Sequence, residues 1–444
     1  MTLNIDRELL AEPATGAGER HAAISAVVLV DSDSYAKWGV SVLAAMPAGW
    51  RKRIVLVNTA VQPSSAQIAS AVAGSGFAAS EVDTTSAAQA IASLRDSRPD
   101  VVIVSMLGPA AAIILRELQS GAHDRPVLVT GLPGISIPAT SKAILRRLQA
   151  DLFLLHSKRE VRAFRELAAG LGVEQRFALA TLPFLAGTTR QEHGGRDIVF
   201  AAQAIVPSSR DDRTRLLGWL ETLARRHPDH RVIIKLRAVS GEQQTHAEAD
   251  SYEELYAELP DRPANLVVAS GPMSEFLADA AALVTVSSTA AIEAVALGVP
   301  VLAIDEFGVG PELINEVFVG SGLLAGADAL EDARFERASE AWLDDNYLHP
   351  ADDNDWLAHL DELLRVRSLG RLPDRAPFDL RRGGVLRRAW DRRLEFGPGE
   401  RTLVSAIAVA IGVPATAVLR VARRVRRAMA PAVLLSDDVA TGKG

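Results

Sequence analysis

The sequence of residues 284–304 is VTVSSTAAIEAVALGVPVLAI, and its pattern decides the fold. An apolar run ends at Ser287, Ser288 and Thr289, an alanine-rich segment follows, and Gly298 precedes a second apolar run. This order predicts a strand, a helix that ends at Gly298, and a second strand. Because free backbone N–H groups and the positive end of the helix dipole meet at a helix start, the three hydroxyl residues predict an anion site suited to phosphate. The alternative is that they serve only as ordinary N-caps.

The same alternation of apolar runs and helical patterns extends over most of the chain. Near-continuous apolar strands between helices indicate parallel sheets covered on both faces, and ligands of such sheets bind at the carboxyl ends of the strands. The sequence therefore predicts an α/β protein with two doubly wound parallel-sheet domains facing a cleft. The predicted strands are 24–30, 53–58, 101–106, 126–131, 151–157, 197–203, 231–237, 265–271, 282–288 and 300–308.

Breaks in this pattern, such as the polar, glycine-containing stretch before the strand at 197, predict the domain boundaries. The predicted segments are a disordered N-terminus (1–20), an N-terminal acceptor domain (21–188), a linker (189–196), a C-terminal donor domain (197–345), helices returning toward the N-terminal domain (346–395) and a basic, amphipathic helical tail (396–444).

Composition excludes several kinds of chemistry. The chain of 444 residues contains no cysteine, so disulfides, thiolate catalysis and cysteine-ligated zinc sites are excluded. Its net charge is −7, but residues 371–444 hold 14 Arg and 1 Lys against 7 acids, which leaves the tail at +8 and the rest at −15. A basic tail on an acidic body predicts a polyanionic partner, either a membrane surface or a nucleic acid.

The tail pattern favours the membrane surface. Residues 402–419 carry no charge, and RVARRVRRAM follows them. We expect residues 402–430 to lie on an anionic membrane, although a spanning segment or a helical pair packed on the body would also fit the pattern. Because no aromatic residue interleaves the arginines, no nucleic-acid partner is expected. The first twenty residues lack a secretory signal, so we expect a cytoplasmic protein, peripheral at the inner face of the membrane.

Two aspartates follow the first predicted strand, where they would face the cleft. Asp33 is the preferred general base for an acceptor hydroxyl, and Asp31 is the second candidate, better placed to cap the turn. The alternatives are two aspartates that only form a turn, or an Asp-x-Asp metal site.

Further candidates lie at other predicted strand ends. Lys235 and Arg237 share a face at strand period two and could neutralise a phosphate or a sugar carboxylate. His246, beside Glu248 in a polar loop, could protonate or hydrogen-bond a leaving phosphate, or the loop could simply be solvated. The remaining candidates for donor binding are Gln203, Glu293 and Glu306, with Phe307 either flanking a base or in the core.

The segment SSTAAIEAVALGVPVLAI resembles the donor-nucleotide segment of GT-B glycosyltransferases. TGLPGISIP (130–138), ADLFLLHSKREVRAF (150–164) and IVFAAQAIVP (198–207) resemble other parts of that fold in the same order. The resemblance implies glycosyl transfer from a nucleotide sugar, with the Ser-Ser-Thr turn on the donor phosphate and Glu293 on the nucleoside sugar. It also implies that no metal or other cofactor is needed.

The pair Ser287-Ser288 is also similar to the Ser-Ser motif of bacterial sialyltransferases. That similarity implies a CMP-activated nonulosonate donor, inversion, and a cell-surface glycan or lipid-linked acceptor. Those enzymes carry a His-Pro motif after a strand of the same domain, whereas here that strand is followed by Arg237 and later His246, and His227-Pro228 reads as a helix end. A UDP-sugar donor, a non-hydrolysing sugar-nucleotide 2-epimerase of the same fold and a non-enzymatic two-domain binding protein are the alternatives.

Overall fold

The architecture is taken from a computed structural model of the chain. It describes residues 23–60, 62–119, 125–185, 195–236, 250–379 and 383–397, together with Val404, Ile407 and Ala410. Arg237, His246, Glu248, residues 1–20 and nearly all of the tail from 398 onward lie outside the described residues. The predictions made for them, including the membrane contact of 402–430, therefore stay predictions.

The described strands form two sheets in which all pairings between strands are parallel. Their orders are β3-β2-β1-β4-β5-β6-β7 and β10-β9-β8-β11-β12-β13, which confirms the predicted fold class. The strands are β1 (Ser25–Val30), β2 (Arg51–Val57), β3 (Val82–Thr85), β4 (Val101–Ser105), β5 (Val127–Gly131), β6 (Leu152–Leu155), β7 (Phe177–Leu179), β8 (Asp197–Ala201), β9 (Arg231–Lys235), β10 (Leu266–Ala269), β11 (Ala280–Thr285), β12 (Val301–Ile304) and β13 (Leu324–Ala325).

Helices cover both faces of each sheet, so the central strands are mostly apolar and contribute to clusters on both sides. The described helices are α1 (Asp33–Ala44), α2 (Ser65–Val72), α3 (Ala87–Ser97), α4 (Gly108–Gln119), α5 (Ser141–Leu145), α6 (Lys158–Gly170), α7 (Arg210–Arg226), α8 (Tyr252–Ala257), α9 (Met273–Ala278), α10 (Ala290–Leu297), α11 (Ala327–Glu331), α12 (Glu340–Asp345), α13 (Trp356–Ser368) and α14 (Gly384–Phe396). Within the part of the chain that is described, no helix is long and apolar enough to cross a membrane.

After the second sheet the chain returns to the first one. Trp356, Leu360 and Leu363 of α13 are buried in the same apolar cluster as one face of β1 and β5. At the end of α13, Arg367 pairs with Asp100 at 2.6 Å. These contacts therefore fix the last described helices to the N-terminal sheet.

A buried carboxylate joins the two domains. Glu160, in the first turn of α6, accepts hydrogen bonds from the hydroxyl of Tyr347 at 2.6 Å and from the backbone N–H groups of Ser136 and His156 at 2.7 and 2.9 Å. Its side chain is fully buried, and that burial raises its pKa. Because Tyr347 follows the second sheet and Ser136 follows β5, the cluster fixes the loop that faces the C-terminal domain.

Candidate functional site

The Ser-Ser-Thr turn lies where the sequence predicts it, between β11 and α10. Gln203, which follows β8, holds it from the neighbouring strand end. Its Oε1 accepts the backbone N–H of Ser287 at 2.8 Å, and its Nε2 donates to the Ser287 hydroxyl at 3.0 Å. The helix ends at Gly298, whose φ of +86° is in the left-handed region that glycine favours.

Two backbone groups that were expected to be free for an anion are already used. The Ser287 N–H is bound by Gln203, and the Ser288 N–H donates to Thr285 Oγ1 at 3.0 Å. The Ser288 Oγ in turn accepts the Ala290 N–H at 3.2 Å, so it closes the first turn of the helix. Two of the N–H groups at this helix start are therefore occupied, one by Gln203 after the neighbouring strand β8 and one by Thr285 at the end of β11. The anion site stays a prediction.

Donors remain at the exposed tip of the turn. Thr289 is exposed, and its side chain makes no capping hydrogen bond. Among the described residues, no partner contacts its backbone N–H, and the Ser288 hydroxyl hydrogen is also free to donate. A Cβ added at Gly134, in the loop after β5, would lie 3.2 Å from the Thr289 methyl. The N-terminal domain therefore faces this tip directly.

Charges from both domains meet one turn further along α10. Burial raises the pKa of the half-buried Glu293, while the positive charges of Lys235 and Lys37 lower it. Lys235 ends β9 in the same domain and is buried, whereas Lys37 lies on α1 of the other domain. The charges of Lys235 and of Lys37, one from each domain, therefore both act on Glu293.

Asp33 lies on the opposite side of that boundary. Its Oδ2 contacts Lys37 Nζ at 3.1 Å in an i,i+4 pair on α1. Its Oδ1 is enclosed and has no hydrogen-bond partner among the described residues. A buried acceptor without a partner costs about 1–3 kcal/mol, so this oxygen is suited to receive a proton or hydrogen bond from a ligand. Lys37 was not predicted, although the spacing DSYAK at a helix start signals such a pair.

Asp31 has a different environment, because both of its carboxylate oxygens already accept hydrogen bonds. Its Oδ2 accepts the Leu107 N–H at 2.8 Å, and its Oδ1 accepts the Ser32 hydroxyl at 3.0 Å. Burial raises its pKa to about 6, against these hydrogen bonds and the charge of Arg147, which lower it. Asp31 therefore ties the end of β1 to the loop after β4, in agreement with the turn-capping interpretation.

Two other predicted residues are used in packing. Glu306 Oε1 accepts the Ala327 N–H at 2.9 Å and so caps α11, and its assignment to donor binding stays a prediction. Phe307 packs against Trp219, with ring centroids 5.5 Å apart, in agreement with the core alternative. His227 directly follows α7, as predicted for a helix end.

A histidine behind the cleft was also missed by the sequence interpretation. Trp38 Nε1 donates to His156 Nε2 at 2.6 Å, so the hydrogen on His156 Nδ1 points to the Ala180 carbonyl at 2.8 Å. Burial lowers the pKa of His156 to about 4, so the ring is neutral. It fixes Trp38 against Gly131, where a Cβ would lie 2.2 Å from the indole. This pair positions α1 and thereby Asp33.

Among the described residues, no group of three or more His, Asp or Glu side chains could hold a metal ion. Around the Ser-Ser-Thr turn and Asp33, the described polar groups include the hydroxyls of the turn, the carboxylates of Asp33 and Glu293, and the amines of Lys37 and Lys235. This set can bind a phosphate and accept a proton from a hydroxyl.

A family model matches residues 26–363 of the chain, which include both sheets. The chain belongs to that family, described as "Putative glycosyltransferase (DUF6716)". No curated protein matches the sequence at a significant level. The glycosyltransferase assignment therefore rests on this family match.

Solved structures show the same fold at low sequence identity. A "putative UDP-N-acetylglucosamine 2-epimerase" from Listeria monocytogenes matches with a TM-score of 0.51 and 12% identity, over 80% of this chain and 99% of the other. The MnaA–UDP complex of S. aureus matches with a TM-score of 0.51 and 11% identity, over 80% of this chain and 100% of the other. UGT2 of Phytolacca americana, complexed with UDP-2fluoro-glucose and pterostilbene, matches with a TM-score of 0.41 and 11% identity, over 78% of this chain and 94% of the other. The two matches with a TM-score of 0.51 agree with the GT-B architecture of two Rossmann-like domains seen in this chain.

Proposed function

We propose that this protein transfers a sugar from a nucleotide donor bound at the Ser-Ser-Thr turn to an acceptor hydroxyl held at Asp33. The observation that carries the proposal is the close approach of the two domains at the turn, where a Cβ added at Gly134 would lie 3.2 Å from the Thr289 methyl. The charge of Lys37, which pairs with Asp33, also acts on Glu293. A donor at the start of α10 and an acceptor at the start of α1 would thus be adjacent.

In this proposal the donor phosphate binds at the tip of the Ser-Ser-Thr turn. The Thr289 N–H, the hydroxyls of Ser288 and Thr289, and the positive end of α10 all favour a negative charge there. Glu293, one turn further in, is placed to accept hydrogen bonds from the hydroxyls of the nucleoside sugar. Gln203 acts indirectly, since it fixes the turn instead of contacting the donor.

The reaction follows from these positions. Asp33 Oδ1 takes the proton of the acceptor hydroxyl as that oxygen forms a bond to the anomeric carbon. The bond between the anomeric carbon and the phosphate oxygen breaks, and the nucleotide leaves with the electron pair. The hydroxyls and helix dipole of the turn stabilise the charge that develops on the phosphate. A single displacement of this kind inverts the anomeric centre.

The donor that fits this site best is a CMP-activated acidic sugar. With the N–H groups of Ser287 and Ser288 already used, the donors left at the turn suit one phosphate better than two. Lys235 would meet the second anion, the carboxylate of the sugar. UDP-sugars are the second candidate, because the S. aureus structure of the same fold is a complex with UDP. The acceptor is proposed to be a cell-surface glycan or its lipid-linked precursor.

A thermal-shift series with CMP, UDP, GDP and TDP separates the donors. Because a ligand stabilises the native state by an amount that grows with its excess over Kd, the preferred nucleotide should raise the unfolding temperature most. We expect CMP to give the largest shift. A response to UDP without one to CMP would contradict the donor assignment, and no response to any of the four would contradict the proposed function itself.

A further inference from the structure

Helix α14 carries an apolar stripe on the surface of the N-terminal domain. Leu386, Trp390 and Leu394 are spaced by four residues and so lie on one side of the helix. Leu386 and Leu394 are 44% and 51% exposed, and Trp390 is half-buried. The two leucines therefore leave about half of their surface open on this side of the helix. A tryptophan and two leucines in a row on one exposed helix are unusual for a surface that faces only water.

The other side of α14 is anchored, so the stripe has a fixed orientation. Phe396 is buried in the apolar cluster that contains Ile114 of α4. Arg392 pairs with Glu117, which also lies on α4, and Arg388 contacts Asp379 at 3.1 Å. The helix therefore cannot turn its apolar side inward without breaking these contacts.

Arginines flank the stripe on both sides. At 100° per residue, Arg387 and Arg393 lie next to opposite edges of the row formed by Leu386, Trp390 and Leu394. Arg387 pairs with Asp391 of the same helix at 3.0 Å, and Arg393 has no ion-pair partner among the described residues. Leucine and tryptophan on one face with arginines beside them is the composition of a helix that lies in a membrane interface.

We propose that the α14 stripe docks on the surface of an anionic lipid bilayer. A protein partner fits less well, because a single row of three side chains is far smaller than the roughly 800 Å² per partner of a stable protein interface. A bilayer accepts one narrow helix face, and its phosphates complement the flanking arginines. The sequence beyond Gly397 continues with the uncharged run 402–419 and five arginines between 420 and 427, which extends the same charge pattern.

The position of α14 connects this surface to the site. The Ala60 N–H donates to the Glu395 carbonyl at 3.1 Å, and the charge of Glu395 acts on Asp31. The end of α14 thus lies at the same edge of the N-terminal sheet as Asp33. A docked enzyme would present its acceptor side close to the membrane, which suits a lipid-linked acceptor. That connection rests on the proposed function, whereas the docking itself does not.

Sedimentation of the full chain with vesicles tests the proposal. Vesicles of phosphatidylcholine with phosphatidylglycerol should carry the protein down, and vesicles of phosphatidylcholine alone should carry much less. The variant Leu386→Ser/Leu394→Ser should bind at least about tenfold more weakly. The variant Arg387→Gln/Arg393→Gln should lose about fivefold per arginine.

The matched control is Val319→Ser/Leu369→Ser, which removes two apolar side chains that are 51% and 65% exposed elsewhere. It should sediment like the wild type, and all variants should unfold at the wild-type temperature. Wild-type protein that ignores anionic vesicles, or a Leu386→Ser/Leu394→Ser variant that binds them normally, would overturn the proposal. So would a loss of binding seen only on truncation after Pro398, because that result would assign the contact to the tail alone. Nucleotide stabilisation measured without vesicles distinguishes this failure from a failure of the proposed function.

Discussion

Replacing Asp33 with asparagine should lower the rate of sugar transfer by about 10²–10⁴-fold, the range that general base catalysis contributes. Asparagine keeps the size of the side chain but cannot take the acceptor proton at the enclosed Oδ1 position. The pair with Lys37 is partly exposed, so its loss should change stability little. Steady-state kinetics should show the loss in kcat, and calorimetry should show unchanged nucleotide affinity.

Asp31→Asn is the matched control for this variant, since the two carboxylates lie two residues apart. Asparagine at position 31 can still accept the Leu107 N–H through its amide oxygen, so the loop after β4 should hold its place. We expect this variant to keep kcat within a few-fold of the wild type. A fully active Asp33→Asn enzyme, or an inactive Asp31→Asn enzyme with a normal fold, would remove the assignment of Asp33 as the base.

The second large effect is expected at the donor turn. Ser288→Ala and Glu293→Ala should each raise the Kd for the nucleotide about 10- to 100-fold, because each removes a hydrogen bond in which one partner is charged. Ser288→Ala also removes the acceptor of the Ala290 N–H, so some of its effect reflects a looser first turn of α10. Titration calorimetry against the preferred nucleotide measures both changes. Unchanged affinity in both variants would remove the donor site from this turn.

Glu293→Gln separates a binding effect from unfolding. Burial raises the pKa of Glu293 above its value in the unfolded chain, so its ionisation opposes folding at neutral pH. That cost is full above the folded-state pKa and disappears as the pH falls below the unfolded-state pKa. We therefore expect Glu293→Gln to unfold at an equal or higher temperature than the wild type at neutral pH, with the difference shrinking in acid, while it binds nucleotide more weakly. A variant that unfolds earlier at neutral pH would show that the residue mainly holds the fold.

The sequence predicted the longer apolar strands and missed three short or polar ones. Each of β3, β7 and β13 lies at the edge of its sheet. β3 reads VDTT and is exposed at its two central residues, while β7 and β13 have three and two residues. An edge strand is paired on one side only and needs neither length nor a continuous apolar run, so the pattern that identifies central strands can miss it. The edge strand β10 was predicted because it is the apolar run LVVA.

In the site, the features that depend on neighbouring residues could be predicted from the sequence. The contacts between residues far apart in the sequence could not. The place of Ser288 at a helix start and the end of that helix at Gly298 follow from neighbouring residues. The use of the Ser287 N–H by Gln203 does not, because the two residues are 84 positions apart and meet only when β8 and β11 pair. The contact between Tyr347 and Glu160 spans 187 positions and joins two domains, so it cannot be predicted from the residues around either one.

The most direct test of the central claim is whether turnover of the donor requires an acceptor. Each nucleotide sugar that stabilises the protein is incubated with and without a pool of cell-envelope glycans, and the released nucleotide and all sugar products are quantified. We predict nucleotide release that rises with added glycan, a glycan product that is heavier by one sugar, and loss of both in Asp33→Asn. The appearance of a free, epimerised nucleotide sugar without any glycan would contradict the account and identify the protein as an epimerase.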